Sequence, residues 1–162
     1  VNVNAFMTVS EKRNIQKIPT SNIEAYDLIQ QTIALSTEWK ISVYQGLDFA
    51  VKAIKLDPAY ADAYAAAGAF SLYSAISRVS LNEMPTAIRD ASPFIEKALN
   101  LDQNNSFAHF LMGNIYEWGR WDYVEAEKEY LKVNEISPNI AERLTIAVLR
   151  IYGMPGNKRF GL

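Results

Sequence analysis

Asp102, Ser106 and His109 lie close together and are of the types a hydrolase uses: a nucleophilic hydroxyl, a base to take its proton and a carboxylate to orient the base. Their positions suit helix ends better. Ser106 stands where a helix begins and can accept from the free N–H groups of its first turn, while Asp102 falls at the end of the preceding helix. Gly153-Met154-Pro155-Gly156-Asn157-Lys158-Arg159 has the glycines and cations of a phosphate loop. However, Asn rather than Lys follows Gly156, no strand precedes it, and Gly153 with Pro155 is an ordinary helix stop. Glu125, Glu127 and Glu129 alternate along a helix, so they are expected to spread around its solvated outer surface instead of converging as acid and base. The chain has no Cys and one His. That excludes thiolate nucleophiles, disulfides, Cys-ligated metals and zinc sites with two or more imidazoles. No catalytic, cofactor or metal site is expected.

Recognition is better represented than catalysis. Phe107, Phe110, Trp118 and Trp121 crowd one helical hairpin, and Phe110, Asn114, Glu117 and Trp118 recur at three- and four-residue steps that share a helix face. Such a face could offer aromatic area for affinity and an amide to pair with a peptide backbone. The same aromatics could equally be core anchors, and the sequence leaves both roles open.

The elements that must hold these residues all read as helix. Thr8-Val9-Ser10-Glu11 has the capping-box pattern and starts a short helix to about Ile18. Pro19 breaks it, and Ser21 or Asn22 can cap the next, whose stripe is Tyr26, Ile29, Ile33 and Ala34. After a break at Ser36-Thr37-Glu38, Val43, Leu47, Ala50, Val51 and Ile54 mark another stripe from Trp39 to Asp57-Pro58. Tyr60 to Ile76 is almost continuously apolar and Ala-rich, with Gly68 at its middle, as suits a helix approached closely on several sides. Leu81 to Pro85 is a loop. The helix after it carries Ala87, Ala91, Phe94, Ile95, Ala98 and Leu99, and is expected to kink or restart near Ser92 because of Pro93. Ser106 to Trp118, Tyr123 to Glu135 and Ile140 to Tyr152 complete the series.

Composition agrees. Among 162 residues, 7 Gly and 6 Pro are too few for a many-stranded sandwich. The net charge of −2 leaves no basic surface for nucleic acid. No apolar window is long enough to span a membrane, and the N-terminus lacks a signal peptide's basic flank and apolar core, so a soluble domain is expected, on the cytoplasmic or periplasmic side, without membrane contact. A start at Val1 and a stop at Leu162 just after a helical segment read as a piece of something longer.

Three helix ends are alike: Ala53-Ile54-Lys55-Leu56-Asp57-Pro58, Ala98-Leu99-Asn100-Leu101-Asp102-Gln103 and Val133-Asn134-Glu135-Ile136-Ser137-Pro138. The intervals between them are each long enough for a helical hairpin, which predicts an all-α chain of stacked helix pairs, an α/α superhelical solenoid.

These residues resemble tetratricopeptide repeats (TPRs), a helical hairpin of roughly 34 residues. In the last full unit Met112-Gly113, Tyr116, Ala126, Tyr130 and Pro138 stand in the family's order, with one additional residue in the turn Gly119-Arg120-Trp121-Asp122 and Val133 where Ala is usual. The middle unit matches at Tyr64, Ala67-Gly68, Ala91, Ile95 and Ala98, with Phe70 displaced and Gln103 replacing Pro. The first matches at Gly46, Ala50, Ala53 and Pro58. The resemblance implies a lead-in over 1–21, an array of about three helix pairs and one further helix over 22–152, and a tail over 153–162.

The order of Lys17-Ile18-Pro19-Thr20-Ser21-Asn22, Asp57-Pro58-Ala59-Tyr60-Ala61-Asp62 and Trp121-Asp122-Tyr123-Val124-Glu125-Ala126 is similar to the C-terminal TPR region of bacterial signalling proteins that carry a nucleotide-cyclase or winged-helix domain upstream. That implies a noncatalytic module binding a protein or peptide segment, or another domain of its own parent. The alternative is a sensor that encloses a small ligand and signals to the upstream domain. By TPR analogy Phe107, Phe110, Asn114, Glu117 and Trp118 face the inner groove, with Asp62, Ala65, Ala69 and Tyr73 at the matching positions of the preceding unit. A clamp for a peptide carboxylate is not expected, since Asn114 is its only fit. The stripe Ile140, Leu144, Ala147, Val148 and Ile151 is expected to cap the preceding hairpin and to support a homo-oligomer through any apolar surface left over.

Overall fold

The computed structural model describes residues 18–37, 43–77 and 83–138. The expected lead-in helix, Trp39, the phosphate-loop look-alike and the stripe from Ile140 to Ile151 lie outside them. The described residues form six α-helices and no strand: α1 (Ile23–Thr37), α2 (Val43–Leu56), α3 (Ala61–Ser77), α4 (Met84–Leu101), α5 (Ser106–Ile115) and α6 (Tyr123–Ile136), with a π-helical turn, Tyr116–Arg120, after α5. None of these helices is long and apolar enough to cross a membrane.

Side chains at the turns set the helix ends. Asn22 accepts from the Ala25 N–H at 3.0 Å, capping α1, and its amide donates to the Leu56 carbonyl at 3.1 Å. Thr20 donates to Asp57 at 2.5 Å, so the start of α1 is tied to the end of α2. Asn105 repeats the device. Its Oδ1 accepts from the Ala108 N–H at 2.9 Å, and its Nδ2 donates to Asp62 at 2.7 Å, joining the starts of α5 and α3. The cap of α5 is therefore Asn105 and not Ser106, because the first helical residue is already Ser106. Asp122 caps α6 through the Glu125 N–H at 3.1 Å. The helix α1 ends at Thr37, within the expected break, and α4 is one continuous helix through Pro93, whose side is exposed to solvent, so it does not begin again near Ser92. The adjacent Ser92 hydroxyl donates to the Ile88 carbonyl, one turn earlier, at 2.7 Å.

Each helix packs on its successor, and α3 also touches α1 and α5, whereas among the described residues the α2 and α4 backbones stay apart. Burial explains this arrangement. Ala63, Ala66 and Ala67 of α3 join Ala25, Ile29, Ala50, Ala53 and Tyr60 in one core. Ala65, Ala69 and Leu72 on its other side join Ala91, Ile95, Phe110, Leu111, Ile115 and Val133 in a second. The Ala-rich helix thus serves two cores at once, since small side chains let backbones approach from both sides.

The similar helix ends have similar bonds. Asp57, Asp102 and Ser137 donate their backbone N–H to Ala53, Ala98 and Val133 at 2.9 Å each. Tyr60 and Asn105 then donate to the Asp57 and Asp102 carbonyls at 3.1 Å, and the two Asp side chains accept from Ala59 and Asn104 N–H groups at 2.9 and 3.2 Å.

Candidate functional site

The predicted groove residues other than Asp62 are linked around the junction of α3, α5 and α6, although at different depths. Phe110 and Asn114 are buried, Asn114 completely, whereas Asp62, Tyr73, Phe107, Glu117 and Trp118 are half-buried. The rings form two contacts across elements and one within α5. Tyr73 of α3 meets Trp118 of the π turn at 6.3 Å with a 53° tilt, Phe110 meets Tyr130 of α6 at 6.0 Å, and Phe107 stacks on Phe110 at 6.5 Å. These separations lie in the favourable range for aromatic pairs. Asp62 is set apart by its bond to Asn105, which employs it as a brace between helix starts.

A polar chain runs through these rings. The Asn114 amide lies 3.2 Å from the Tyr73 hydroxyl through Nδ2 and 2.9 Å from the Tyr130 hydroxyl through Oδ1, and Tyr130 lies 2.8 Å from Glu117 Oε2. A phenol has one proton, so Tyr130 cannot donate fully to both the amide oxygen and the carboxylate. The proton count closes if the amide is turned over: Tyr73 then donates to Oδ1, Nδ2 donates to Tyr130, and Tyr130 donates to Glu117. Either way Asn114 is engaged from within, and its amide is not presented to a peptide in this conformation. It sets the positions of Tyr73, Tyr130 and, through Tyr130, Glu117.

Beside this chain sits the single histidine. His109 Nδ1 lies 2.5 Å from Glu129 Oε2, and Nε2 lies 2.9 Å from the Gln103 carbonyl. Both ring nitrogens face acceptors, an arrangement the imidazolium form satisfies with two donated hydrogens. The His109 pKa is accordingly raised above 6.5, first by the hydrogen bond it donates to Glu129, with burial opposing. Burial would raise the Glu129 pKa, but bonds to His109 and Lys132 outweigh it and hold the carboxyl below its ordinary value. His109 therefore joins α5, α6 and the turn after α4. Asp102 accepts from the Asn104 N–H instead of orienting the imidazole, so the hydrolase look-alike is not assembled around His109. The expected solvated face also needs correction: Glu127 is exposed, while the Glu129 side chain is only 12% exposed because His109 draws it inward.

The π turn exposes one aromatic and shelters another. Tyr116 accepts the N–H groups of Trp121 and Asp122, and Trp121 takes a left-handed backbone, φ 53°, with 73% of its surface exposed. Arg120 lies over the Tyr116 ring at 5.1 Å.

Sequence reasoning missed a cleft of about 440 Å³ where α2 and α4 stand apart over α3. It also missed the roles of Tyr130 and Glu129. Spacing within one helix identifies a face, but contacts between helices separated by a turn leave no periodic signal. The identical offsets of Ile95 before Asp102 and Tyr130 before Ser137 would have marked Tyr130 as a contact position. No group of three or more His, Cys, Asp and Glu among the described residues could hold a metal ion. No protein-family model matches the sequence, and no curated protein matches it either.

Proposed function

We propose that this chain is a noncatalytic TPR-like module, an α/α solenoid of helical hairpins that binds a protein or peptide segment in the groove beside Tyr73, Glu117 and Trp118. The observation that carries the proposal is a contact repeated in register. Gly68 and Gly113 stand at equal offsets after Asp57 and Asp102, and a Cβ on either would strike Ile95 or Tyr130, which stand at equal offsets before Asp102 and Ser137. The same small residue admits the same partner position in successive hairpins. The packing of α3 on both α1 and α5, with the α2 and α4 backbones kept apart, supports the stacked arrangement further. The additional residue in the last unit's turn coincides with the π-helical segment, where a wider turn takes up one residue.

In this module Trp118, Tyr73, Phe107 and Glu117 make the reachable contacts, and Phe110 and Asn114 hold them from beneath. Rigid half-buried aromatics supply contact area at small entropic cost. The partner is a peptide segment of another protein or of the parent's own upstream domain, and the module is the regulatory C-terminal part of a bacterial nucleotide cyclase or transcriptional regulator. Selection of a displayed peptide library on the purified chain tests this. A recovered peptide should lose about tenfold or more in affinity with Trp118→Ala, while far-ultraviolet circular dichroism stays helical. Peptides that bind the variant as tightly as the original chain would place the binding surface elsewhere.

A further inference from the structure

The cleft between α2 and α4 lies apart from the groove just described and has its own chemistry. Its floor is α3, at Phe70, Ser71 and Ser74. One wall is the α2 face of Val43, Tyr44 and Leu47; the other is α4, with Thr86, Ala87 and Phe94 beside the carboxylates of Glu83 and Asp90. Three aromatic rings and several aliphatic groups thus face a space of about 440 Å³, within the range of small-ligand sites. Among the described residues that line it, the charged ones, Glu83 and Asp90, are acidic.

The register of the chain shows that such a gap need not stay open. Ile88 stands at the α4 position equivalent to Val43 in α2, and Gly119 at the position equivalent to Ser74 in α3. There the Ile88 side chain is packed where a Cβ on Gly119 would sit. The first gap has a shorter aliphatic residue and a hydroxyl at those two positions, and it is open.

We infer that this cleft is a binding site for a small aromatic amine. The ring would lie among Tyr44, Phe70 and Phe94, and the ammonium would face Glu83 and Asp90, where aromatic faces also favour a cation. Ser71 and Ser74 are less available to the ligand, since Ser71 is buried and the Ser74 hydroxyl donates to the Ser71 carbonyl at 2.7 Å. Asp90 is paired at the surface with Arg89 at 3.0 Å, both side chains more than half exposed. Such a pair is weak, and a ligand cation can compete with it.

Calorimetric titration of the full chain with tryptamine, indole-3-propionate and spermidine tests the inference. Tryptamine should bind; the propionate, with the same ring and the opposite charge, and spermidine, with charge but no ring, should each bind at least about tenfold more weakly. Glu83→Gln with Asp90→Asn should weaken tryptamine about tenfold or more. Arg89→Ala should tighten it by releasing Asp90, a change that general loss of structure would not produce. Equal binding of tryptamine and the propionate, or of tryptamine and spermidine, would overturn the assignment. So would no tryptamine binding at millimolar concentration, including the case in which an amphipathic Lys/Leu peptide binds instead and shows the cleft to be a protein-docking surface. None of these outcomes depends on the peptide groove, whose own test uses Trp118.

Discussion

Two phenols of opposite circumstance, Tyr60 buried and Tyr130 half-buried, show how a single hydroxyl enters the stability of this chain. Tyr60 is 1% exposed and its hydroxyl has no hydrogen-bond partner, so burial, with Asp62, Tyr26 and Asp57 adding to it, pushes its pKa far up. Tyr60→Phe should leave the urea midpoint unchanged or raise stability by up to about 1 kcal/mol. Tyr130→Phe, which removes a group between Asn114 and Glu117, should cost about 1–3 kcal/mol. A clear loss on Tyr60→Phe would mean that the hydroxyl is satisfied in solution. His109 predicts a pH dependence of definite sign. Its raised pKa makes the contribution complete below the ordinary value of 6.5 and lost as pH rises through the folded value. The lowered pKa of Glu129 makes its contribution complete above 4.5 and lost as pH falls through the folded value. Melting temperatures measured from acid to alkaline pH should therefore show this pair's support greatest between about 4.5 and 6.5. His109→Gln should flatten the alkaline decline; an unchanged slope would dissociate the pair from stability. None of this was legible from residue types, because Tyr60 and Tyr130 look alike in sequence and His109 meets Glu129 only across a turn.

Helices were legible where periodicity and capping chemistry agree. The stripe Ala87, Ala91, Ile95 and Ala98 is the buried face of α4, as its spacing predicts. At Pro93 the helix does not begin again: the residue faces solvent, and the buried stripe continues past it. Spacing also loses its phase after Ile115, where the backbone changes from α to π winding, so a face counted from Phe110 through Asn114 does not extend unchanged to Trp118. Glycines test the helix contacts. Ala in place of Gly normally stabilises a helix by about 0.5–1 kcal/mol. At Gly113 the sign should reverse, to a loss of about 1–3 kcal/mol, because the added Cβ meets the Tyr130 ring, held by Phe110, Asn114 and Glu117. At Gly119 the obstacle is the far end of Ile88, which can turn aside, and Ala should change stability by no more than about 0.5 kcal/mol. Denaturant midpoints of the two variants decide this; equal values would show that the Tyr130 ring yields as easily as Ile88.

At the scale of the whole chain, the two cores are unequal. The one built on α1 and α2 is mostly alanine, and α1 leaves Ile23 and Ile33 exposed at 77% and 51%. The one between α3 and α6 has Ile, Leu, Phe and Val, the Tyr73–Asn114–Tyr130 chain and the His109–Glu129 pair. Amide hydrogen exchange should therefore begin in α1 and α2 and reach α5 last. Uniform protection would indicate a single cooperative unit. The alternation of helices was legible from the sequence, but this inequality was not, since it depends on which faces of α3 meet which neighbours. The double-sided burial of α3 has one more consequence. Its Ala63, Ala66 and Ala67 face the α1–α2 core, and the turn before it is exposed at Pro58 and Ala59. A chain divided between those two residues keeps matching surfaces on its two pieces, so they should recombine when mixed, the shorter regaining helical structure on the longer as its template.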